Sequence, residues 1–404
     1  MNEKMKVLFI SISSLPYAGE HSISLDLLRE FHRNGHEIYV ISALERNAKK
    51  DTYLAKEAGF TMLRVKIGNN KKANLIEKGI TYLTLPGKYI QAIKKYFGDI
   101  KFDLVLYPTP PITHYATVKY VKKSCGAKSY LLLKDIFPQN AVDLGMMSKS
   151  GPKSIIYHFF RAKEKKLYAL SDRIGCMSQA NVDFVCRHNP EVDPRKVEVC
   201  PNSVEPEDMT IPQQRRDELR AKYGVPQNKR VFVYGGNLGR PQGIPFLIDC
   251  LRAAADKPDC FFVICGTGTE YPKLKEYVDT EKPENVLLIN GLPKTDYEEF
   301  VAACDVGMIF LDYRFTIPNF PSRLLSYMQS GLPVLCCTDP NTDVGDIAES
   351  GGFGWKCMSN DVSEFCNAVE TAIHADLKKM GKDGKDYLMK HYTVEEGYRI
   401  ITRE

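Results

Sequence analysis

Two hydrophobic rhythms alternate along this chain. "KVLFISIS" (6 to 13) is a continuous apolar run of strand length, and "SLPYAGE" follows as a loop. Ile23, Leu27, Leu28 and Phe31 then recur at helical spacing until Asn34-Gly35 stops the pattern, and "EIYVIS" (37 to 42) supplies the next strand. A strand, loop, helix, strand unit of this kind builds a parallel sheet. The second half repeats it: "RVFVYG" (230 to 235), the loop "GNLGRPQG", a helix from about Ile244 to Ala255 and "CFFVICG" (260 to 266). Later strands are "NVLLIN" (285 to 290), "VGMIFL" (306 to 311) and "PVLCC" (333 to 337). The expected fold class is α/β, with two doubly wound Rossmann-like domains facing across a cleft. The polar, proline-containing "PNSVEPEDMTIPQQRRDELRAKYGVPQNK" places the hinge near residue 205. Ligands of such sheets bind outside the carboxyl ends of the strands.

Length and composition support two cores rather than one, because 404 residues at 44% hydrophobic content exceed what a single domain normally needs. No apolar run reaches the roughly 20 residues of a spanning helix, and the chain passes directly from "MNEKM" into a strand, so the expected location is the cytoplasm. The twelve cysteines form no C-x-x-C pair and read as buried reduced thiols. Charge changes the picture more. Residues 61 to 101 sum to +7 and residues 146 to 170 to +5, leaving −7 for the remainder of a chain whose net charge is +5. "LPGKYIQAIKKYF" and "SIIYHFFRAKEKKLYAL" mix those lysines with aromatic and apolar residues. Each is either a helix lying on an anionic membrane or a core-packing helix with a solvated basic face.

Candidate chemistry lies where strands end. Gly235, Gly236, Asn237 and Gly239 stand between a strand and a helix, where backbone N–H groups either receive a phosphate or simply make a tight turn. "GTGTEYPKL" (266 to 274) repeats the arrangement, with Gly266 and Gly268. Arg240 and Arg323 are the loop cations able to reach an anion, Arg323 from the first turn of a helix over 323 to 330. Asp135 in "LLLKDIFPQN" stands at a strand's carboxyl end, a position that suits either a catalytic carboxylate or a turn cap. His21 and His114 occupy loops or helix starts of the first half, whereas His36 is expected to pack at a strand entrance. The chain has neither a G-x-x-x-x-G-K-[ST] loop nor aspartates at D-x-D spacing, which argues against P-loop ATP chemistry and against a metal-dependent site of the D-x-D type.

In this order, "LLREFHRNGHEIYVIS", "EKKLYALSDRIGCMS", "VCPNSVEP" and "PSRLLSYMQSGLPVL" resemble the family-4 retaining glycosyltransferases of the GT-B fold. "KDIFPQNAVDLG" and "GGNLGRPQG" resemble, more narrowly, the branch that builds bacterial O-antigen and capsule units on a polyprenyl carrier. The resemblance implies an acceptor domain (1–205), a nucleotide-sugar domain (206–383) and a C-terminal helix (384–404) crossing back to the first domain. It also implies a UDP-sugar donor, a polyprenyl-diphosphate-linked saccharide acceptor, an anionic membrane surface on the inner face of the cell membrane, and no metal, cofactor or nucleic acid. Carried over by position, the diphosphate would meet Gly236, Asn237, Gly239, Arg240 and Arg323. The ribose and sugar would meet Asn319, Phe320, Ser322 and Ser326, and the nucleobase Gly266, Gly268, Gly291 and Leu292. The acceptor would meet Gly19, Asp135 and Asn202, with Asp135 and His21 as catalytic candidates.

The departures are specific. The family's paired glutamates fall on Pro318 and Ser326, its phosphate-binding Arg and Lys on Asn237 and Gln242, and its catalytic-histidine position on Lys134. A Ser326 hydroxyl offers one neutral hydrogen bond worth about 1 kcal/mol, where a charged one gives roughly 1.5–3 kcal/mol. Pro318 and Phe320 make the sugar side more apolar, which suits a deoxy or N-acetylated sugar. A degenerate GT-B scaffold of a glycan assembly complex and a GT-B nucleotide-sugar epimerase are the alternative readings.

Overall fold

The structure, a computed structural model, describes residues 4–69, 75–152 and 154–403. Lys71, Lys72 and Lys153, which contribute to the two basic segments, lie outside the described residues. The chain divides into two units, Met1–Glu205 with Val394–Glu404, and Pro206–Thr393.

Unit 1 holds an eight-stranded sheet of β1 (Lys6–Ile10), β2 (Glu37–Glu45), β3 (Tyr53–Glu57), β4 (Phe60–Ile67), β5 (Leu104–Pro108), β6 (Lys128–Leu133), β7 (Arg173–Cys176) and β8 (Val197–Val199). The strand order is β3-β4-β2-β1-β5-β6-β7-β8, parallel throughout except for the β3–β4 edge pair. Val7, Leu8, Phe9 and Ile10 of β1 are all buried, as expected of a central strand covered on both faces. Helix Ile23–Arg33 starts where the Ser22 side chain accepts from the Leu25 N–H at 3.3 Å and the Asp26 carboxylate accepts from the Ser22 N–H at 3.1 Å.

Unit 2 holds a six-stranded parallel sheet of β9 (Arg230–Asn237), β10 (Cys260–Thr267), β11 (Val286–Ile289), β12 (Val306–Phe310), β13 (Val334–Thr338) and β14 (Gly354–Met358). Its order is β11-β10-β9-β12-β13-β14. This is the doubly wound order, with its reversal between β9 and β12. The α/β doubly wound fold class read from the sequence is borne out, and each of the seven quoted strand runs falls on a strand of the structure, most within a residue or two of its ends.

The end of the chain differs from expectation. Helix Leu377–His391 belongs to unit 2, and the return begins at Val394 rather than near residue 384. Tyr392 explains the delay, because its ring is buried in unit 2 with centroids 5.7 Å from Tyr387 and 5.9 Å from Phe320. Val394 then donates its N–H to Val204 O at 3.0 Å, and helix Val394–Thr402 lays Tyr398, Ile400 and Ile401 into the core of unit 1. Arg173 holds its C-terminus, donating to the carbonyls of Ile400 (3.0 Å), Ile401 (3.3 Å) and Arg403 (2.7 Å).

His36 sits at this junction. Its Nδ1 accepts from the Met5 N–H at 3.1 Å, so Nε2 carries the proton and donates to the Tyr398 hydroxyl at 2.9 Å. Burial lowers the His36 imidazolium below its ordinary value. A base with a depressed folded pKa contributes stability above its unfolded pKa and loses it as pH falls through the window below roughly 6.5. Tyr398→Phe is expected to cost about 1 kcal/mol, read as roughly fivefold faster hydrogen exchange in helix Val394–Thr402, and that increment should persist below pH 6, where the imidazolium still donates its Nε2–H. Unchanged exchange at neutral pH would refute the assignment of this hydrogen bond.

Candidate functional site

The reversal between β9 and β12 is where a sheet of this order receives a ligand, and here it presents Arg323. Arg323 opens helix Arg323–Gln329, and its Cζ lies 4.3 Å from the centroid of the Tyr234 ring on β9. This cation–π contact is worth up to about 2 kcal/mol when desolvated. Tyr297 and Tyr327 complete a phenolic surround. The Tyr297 hydroxyl fills the space a Gly235 side chain would take, 1.7 Å from a Cβ built there, and the Tyr327 hydroxyl lies 3.2 Å from both the Val233 and Met308 carbonyls. Burial raises all three phenols, Tyr327 to about 12, so they stay neutral at physiological pH. Arg323 Nη1 is buried with no hydrogen-bond partner, and among the described residues Arg323 pairs with no carboxylate, its neighbours being Tyr234, Tyr327 and Tyr297. Nη2 stands 3.8 Å from where a Cβ on Gly236 would be, and Gly236 has φ +114°. A half-buried cation whose Nη1 is fully buried, facing an open glycine and lacking a carboxylate, is configured for an anion.

The other expected diphosphate contacts are placed differently. Gln242 Oε1 accepts from the Gly239 N–H at 3.1 Å and from Asn237 Nδ2 at 3.2 Å, so the Gly239 amide turns into the loop. Arg240 is exposed, 4.0 Å from Glu270, which also pairs with Lys273. Gly266 is explained by the sheet itself, since a Cβ there would lie 2.0 Å from the Gly236 carbonyl oxygen. Gly268 follows in the loop after β10, and Gly291 with Leu292 in the loop after β11, so both remain at the carboxyl end of the sheet.

The loop before Arg323 is held by residues that no sequence motif marked. Buried Asp339 accepts from Thr342 Oγ1 at 2.8 Å, Thr342 Oγ1 accepts from the Asn319 N–H at 3.0 Å, and Asn341 Nδ2 donates to Phe315 O at 2.7 Å. Burial raises the Asp339 carboxyl to about 6 although these bonds favour its charge. Ser322 is exposed and Ser326 half-buried on the short helix. Phe320 is only 9% exposed and packs on Tyr392, so it offers no apolar wall to a sugar. The deoxy or N-acetyl preference expected from it therefore loses its main support.

In unit 1, loop residues after β1 are clamped into place. Arg29 donates to Ala18 O (2.9 Å) and Glu20 O (3.0 Å), and Arg64 donates to Leu15 O (2.7 Å) and Pro16 O (3.0 Å). Gly19 and His21 are exposed on that loop, with His21 Nδ1 3.4 Å from buried Asp26. Asp135 follows β6, and Asn140 Nδ2 lies 2.9 Å from both of its carboxylate oxygens. Thr109 Oγ1 donates to Asp135 O at 3.1 Å, tying the end of β5 to that of β6. Burial raises the Asp135 carboxyl to about 6 against the pull of Asn140, and it lowers the adjacent Lys134 ammonium, beside Cys176 and Cys200, to about 8. Asn202 is half-buried beyond β8. His114 is a core residue, fully buried and stacked on Tyr89 at 6.1 Å, and burial lowers its imidazolium to about 3.

Residues 22–208 match the Glycosyltransferase Family 4 domain, and residues 215–387 match Glycosyl transferases group 1. The chain is a GT-B glycosyltransferase. It is 24% identical over 329 residues to the probable glycosyltransferase WbjE of Pseudomonas aeruginosa, covering 81% of this chain and 80% of that protein. It is 21% identical over 420 residues to the putative colanic acid biosynthesis glycosyl transferase WcaI of Escherichia coli, covering 99% and 97%. Among solved structures, sucrose-phosphate synthase of Thermosynechococcus elongatus aligns with a TM-score of 0.76 at 13% identity over 98% of this chain and 97% of that one. HepE of Anabaena, in complex with UDP-glucose, aligns with 0.68 at 17% identity over 98% of each. These two likenesses establish the fold.

For this glycosyltransferase, the phenolic surround of Arg323 and the Asn140 brace on Asp135 are the features that motif reading missed. Tyr234 lies inside the quoted strand and Asn140 inside the quoted "KDIFPQN", but neither spacing reveals a contact. The Asn140 amide favours the charged carboxylate, so Asn140→Ala is expected to raise the Asp135 carboxyl above 6. Carbon-13 NMR titration of the Asp135 carboxyl checks this, and a fall toward 4 in the variant would contradict the brace.

Proposed function

We propose that this glycosyltransferase moves a sugar, with retention of anomeric configuration, from a UDP-sugar to a saccharide carried on polyprenyl diphosphate in polysaccharide assembly. The observation that carries the reading is the buried, unpartnered Nη1 of Arg323 at the strand reversal of unit 2. A sugar diphosphate supplies the missing negative charge, and Arg binds such groups through a planar fork. Support for the donor and acceptor classes comes from relatives. HepE was solved with UDP-glucose, and an Escherichia coli protein, 26% identical over 231 residues (52% of this chain, 56% of that one), is named UDP-Gal:alpha-D-GlcNAc-diphosphoundecaprenol alpha-1,3-galactosyltransferase.

In the proposed reaction the bond from the sugar's anomeric carbon to the diphosphate oxygen breaks, and a bond to the acceptor hydroxyl oxygen forms on the same face. The acceptor proton passes to the departing diphosphate oxygen. Arg323 stabilises the charge that develops on UDP, so no enzymic base is required there and no metal ion is assigned. Unit 2 holds the donor through Gly236, Arg323, Ser322 and Ser326, and Asp135 with the clamped Gly19–His21 loop receives the acceptor. The second reading, a non-catalytic scaffold, is favoured by Pro318 and Ser326 standing where the family keeps glutamates.

Calorimetric titration of UDP, GDP and ADP in the presence of EDTA separates the two. Selective UDP binding is expected, and Arg323→Ala should weaken it about 10- to 100-fold, the value of a charged hydrogen bond of roughly 1.5–3 kcal/mol. Failure of every nucleotide to bind at millimolar concentration would replace the transferase reading with the scaffold.

The acceptor class implies work at a membrane surface. No helix of the described residues is long and apolar enough to cross one. The two basic segments form helices Leu75–Phe97 and Ser154–Leu170. Lys94 lies 5.4 Å over the Tyr120 ring, Lys95 lies 5.1 Å over the Tyr96 ring, and Lys165 pairs with Glu191 at 3.0 Å, so these lysines already have protein partners. On the second helix, apolar residues remain uncovered: Ile155, Ile156 and Phe159 are 73%, 55% and 43% exposed. We place the membrane contact on that face. Ile155→Ser with Ile156→Ser removes two groups worth about 1.5–3 kcal/mol each when fully buried. Sedimentation with phosphatidylglycerol vesicles is expected to fall at least tenfold, and undiminished binding would exclude this face.

A further inference from the structure

Away from the donor residues, unit 1 contains an open cavity of ≈ 540 Å³ at the carboxyl ends of β2 and β4, within the size range of small-molecule sites. One side is formed by Arg46, Lys66, Ile67 and Gly68, and the other by helix Leu75–Phe97. The helix contributes Ile80, Thr84 and Lys88, spaced four residues apart on one stripe, with Glu77 and Thr81 beside them. The helix lies close because residue 68 has no side chain: a Cβ there would stand 2.2 Å from Thr81 Oγ1.

The lining is divided chemically. Three cations face a single carboxylate. Arg46 pairs with Glu77 at 2.9 Å and Lys66 with the exposed Asp51 at 2.8 Å, while Lys88 is exposed with no ion pair among the described residues. Exposed surface pairs of this sort contribute little and exchange readily for a stronger anion. The apolar part is Ile67, which is buried, and Ile80, which is 57% exposed, with Leu83 65% exposed less than one helical turn further along. Large aliphatic side chains uncovered beside a cationic pocket suit neither a free nucleotide nor a plain sugar. They suit an amphiphile whose head is anionic and whose tail is hydrocarbon.

We propose that this cavity binds the diphosphate and first isoprenoid units of a polyprenyl diphosphate, with Arg46, Lys66 and Lys88 meeting the diphosphate and Ile80 and Leu83 the chain. This rests on the acceptor class proposed above and deepens it, because it makes the lipid head of the acceptor a recognised group with its own site. The diphosphate displaces Glu77 and Asp51 as partner of two of these cations and supplies the first partner to Lys88. The chain then covers side chains that water now contacts. A polar hydroxyl of the carried saccharide takes no part in this recognition, so saccharide selection is left to other residues.

The test uses the full chain and four probes in titration: farnesyl diphosphate, farnesol, inorganic diphosphate and UDP. Farnesyl diphosphate is expected to bind, with inorganic diphosphate and farnesol each at least tenfold weaker. Lys88→Glu and Ile80→Asp, both at exposed positions, should each weaken farnesyl diphosphate at least tenfold while UDP affinity stays unchanged. The proposal is overturned if farnesyl diphosphate fails to bind at millimolar concentration, if neither variant affects it, or if UDP displaces it. Inorganic diphosphate binding as tightly as the farnesyl ester would also overturn it, leaving a simple anion site. Loss of UDP binding with farnesyl diphosphate binding intact would instead sink the donor reading and leave this site standing.

Discussion

The electrostatic environment of Arg323 governs the carboxyl edge of the unit 2 sheet at the reversal between β9 and β12. Taking a guanidinium out of water costs several kcal/mol unless its donors are satisfied, and here Nη1 has no acceptor. The Tyr234 ring returns part of that cost as a cation–π contact. The remainder stays open to a ligand. Each neighbouring choice follows from keeping that guanidinium in place and uncompensated. Glycine at 235 admits the Tyr297 hydroxyl, and Tyr327, one turn beyond Arg323 on the same helix, anchors that helix to the carbonyls of β9 and β12. Phenols raised by burial solvate the cation without neutralising it.

Fixing such a residue demands rigid loops, and both units add short polar relays to the apolar packing of those loops. In unit 2 the relay runs from Asp339 through Thr342 to the Asn319 amide, and a second link joins the Asp312 N–H to Pro241 O at 2.9 Å. In unit 1, Arg29 and Arg64 hold four carbonyls of the loop after β1, and Glu57 accepts the Ala18 N–H at 3.2 Å. The parallel sheets make these relays necessary. Their strands end together at one edge, where backbone groups leave the ladder and need other partners. Preorganisation of this kind lowers the entropic cost of holding a ligand.

The sheet scaffold was legible because buried parallel strands must be continuous apolar runs, and the quoted runs at 6, 37, 230, 260, 285, 306 and 333 could hardly be anything else. Arg323 was legible as a helix-opening cation beside a glycine loop. What makes it distinctive was not, because Tyr234, Tyr297 and Tyr327 are separated by long stretches of chain and meet only through the fold. Gly239 shows the opposite error. Its sequence position suggests a phosphate amide, but Gln242 three residues on folds back and accepts that N–H. Phe320 was misread for a similar reason, since the aromatic surface that covers it comes from Tyr392, far along the chain. The helix boundary near residue 384 also depended on Tyr392, whose burial keeps the chain in unit 2 until Thr393.

The absence of a glutamate at position 326 has a physical consequence. Ser326 lies three residues beyond Arg323 on one helix, a spacing at which side chains are neighbours. A glutamate there would be an available internal partner for the guanidinium, and it would share the site with a bound diphosphate of the same sign. Serine removes that competitor. For the UDP-sugar donor proposed above, the exchange shifts recognition from the ribose toward the diphosphate, where attraction between full charges in a partly desolvated site is strong. A site dominated by the diphosphate holds the leaving group more tightly than the sugar. Because charge grows on the leaving group as the glycosidic bond breaks, that emphasis favours the transition state over the bound donor.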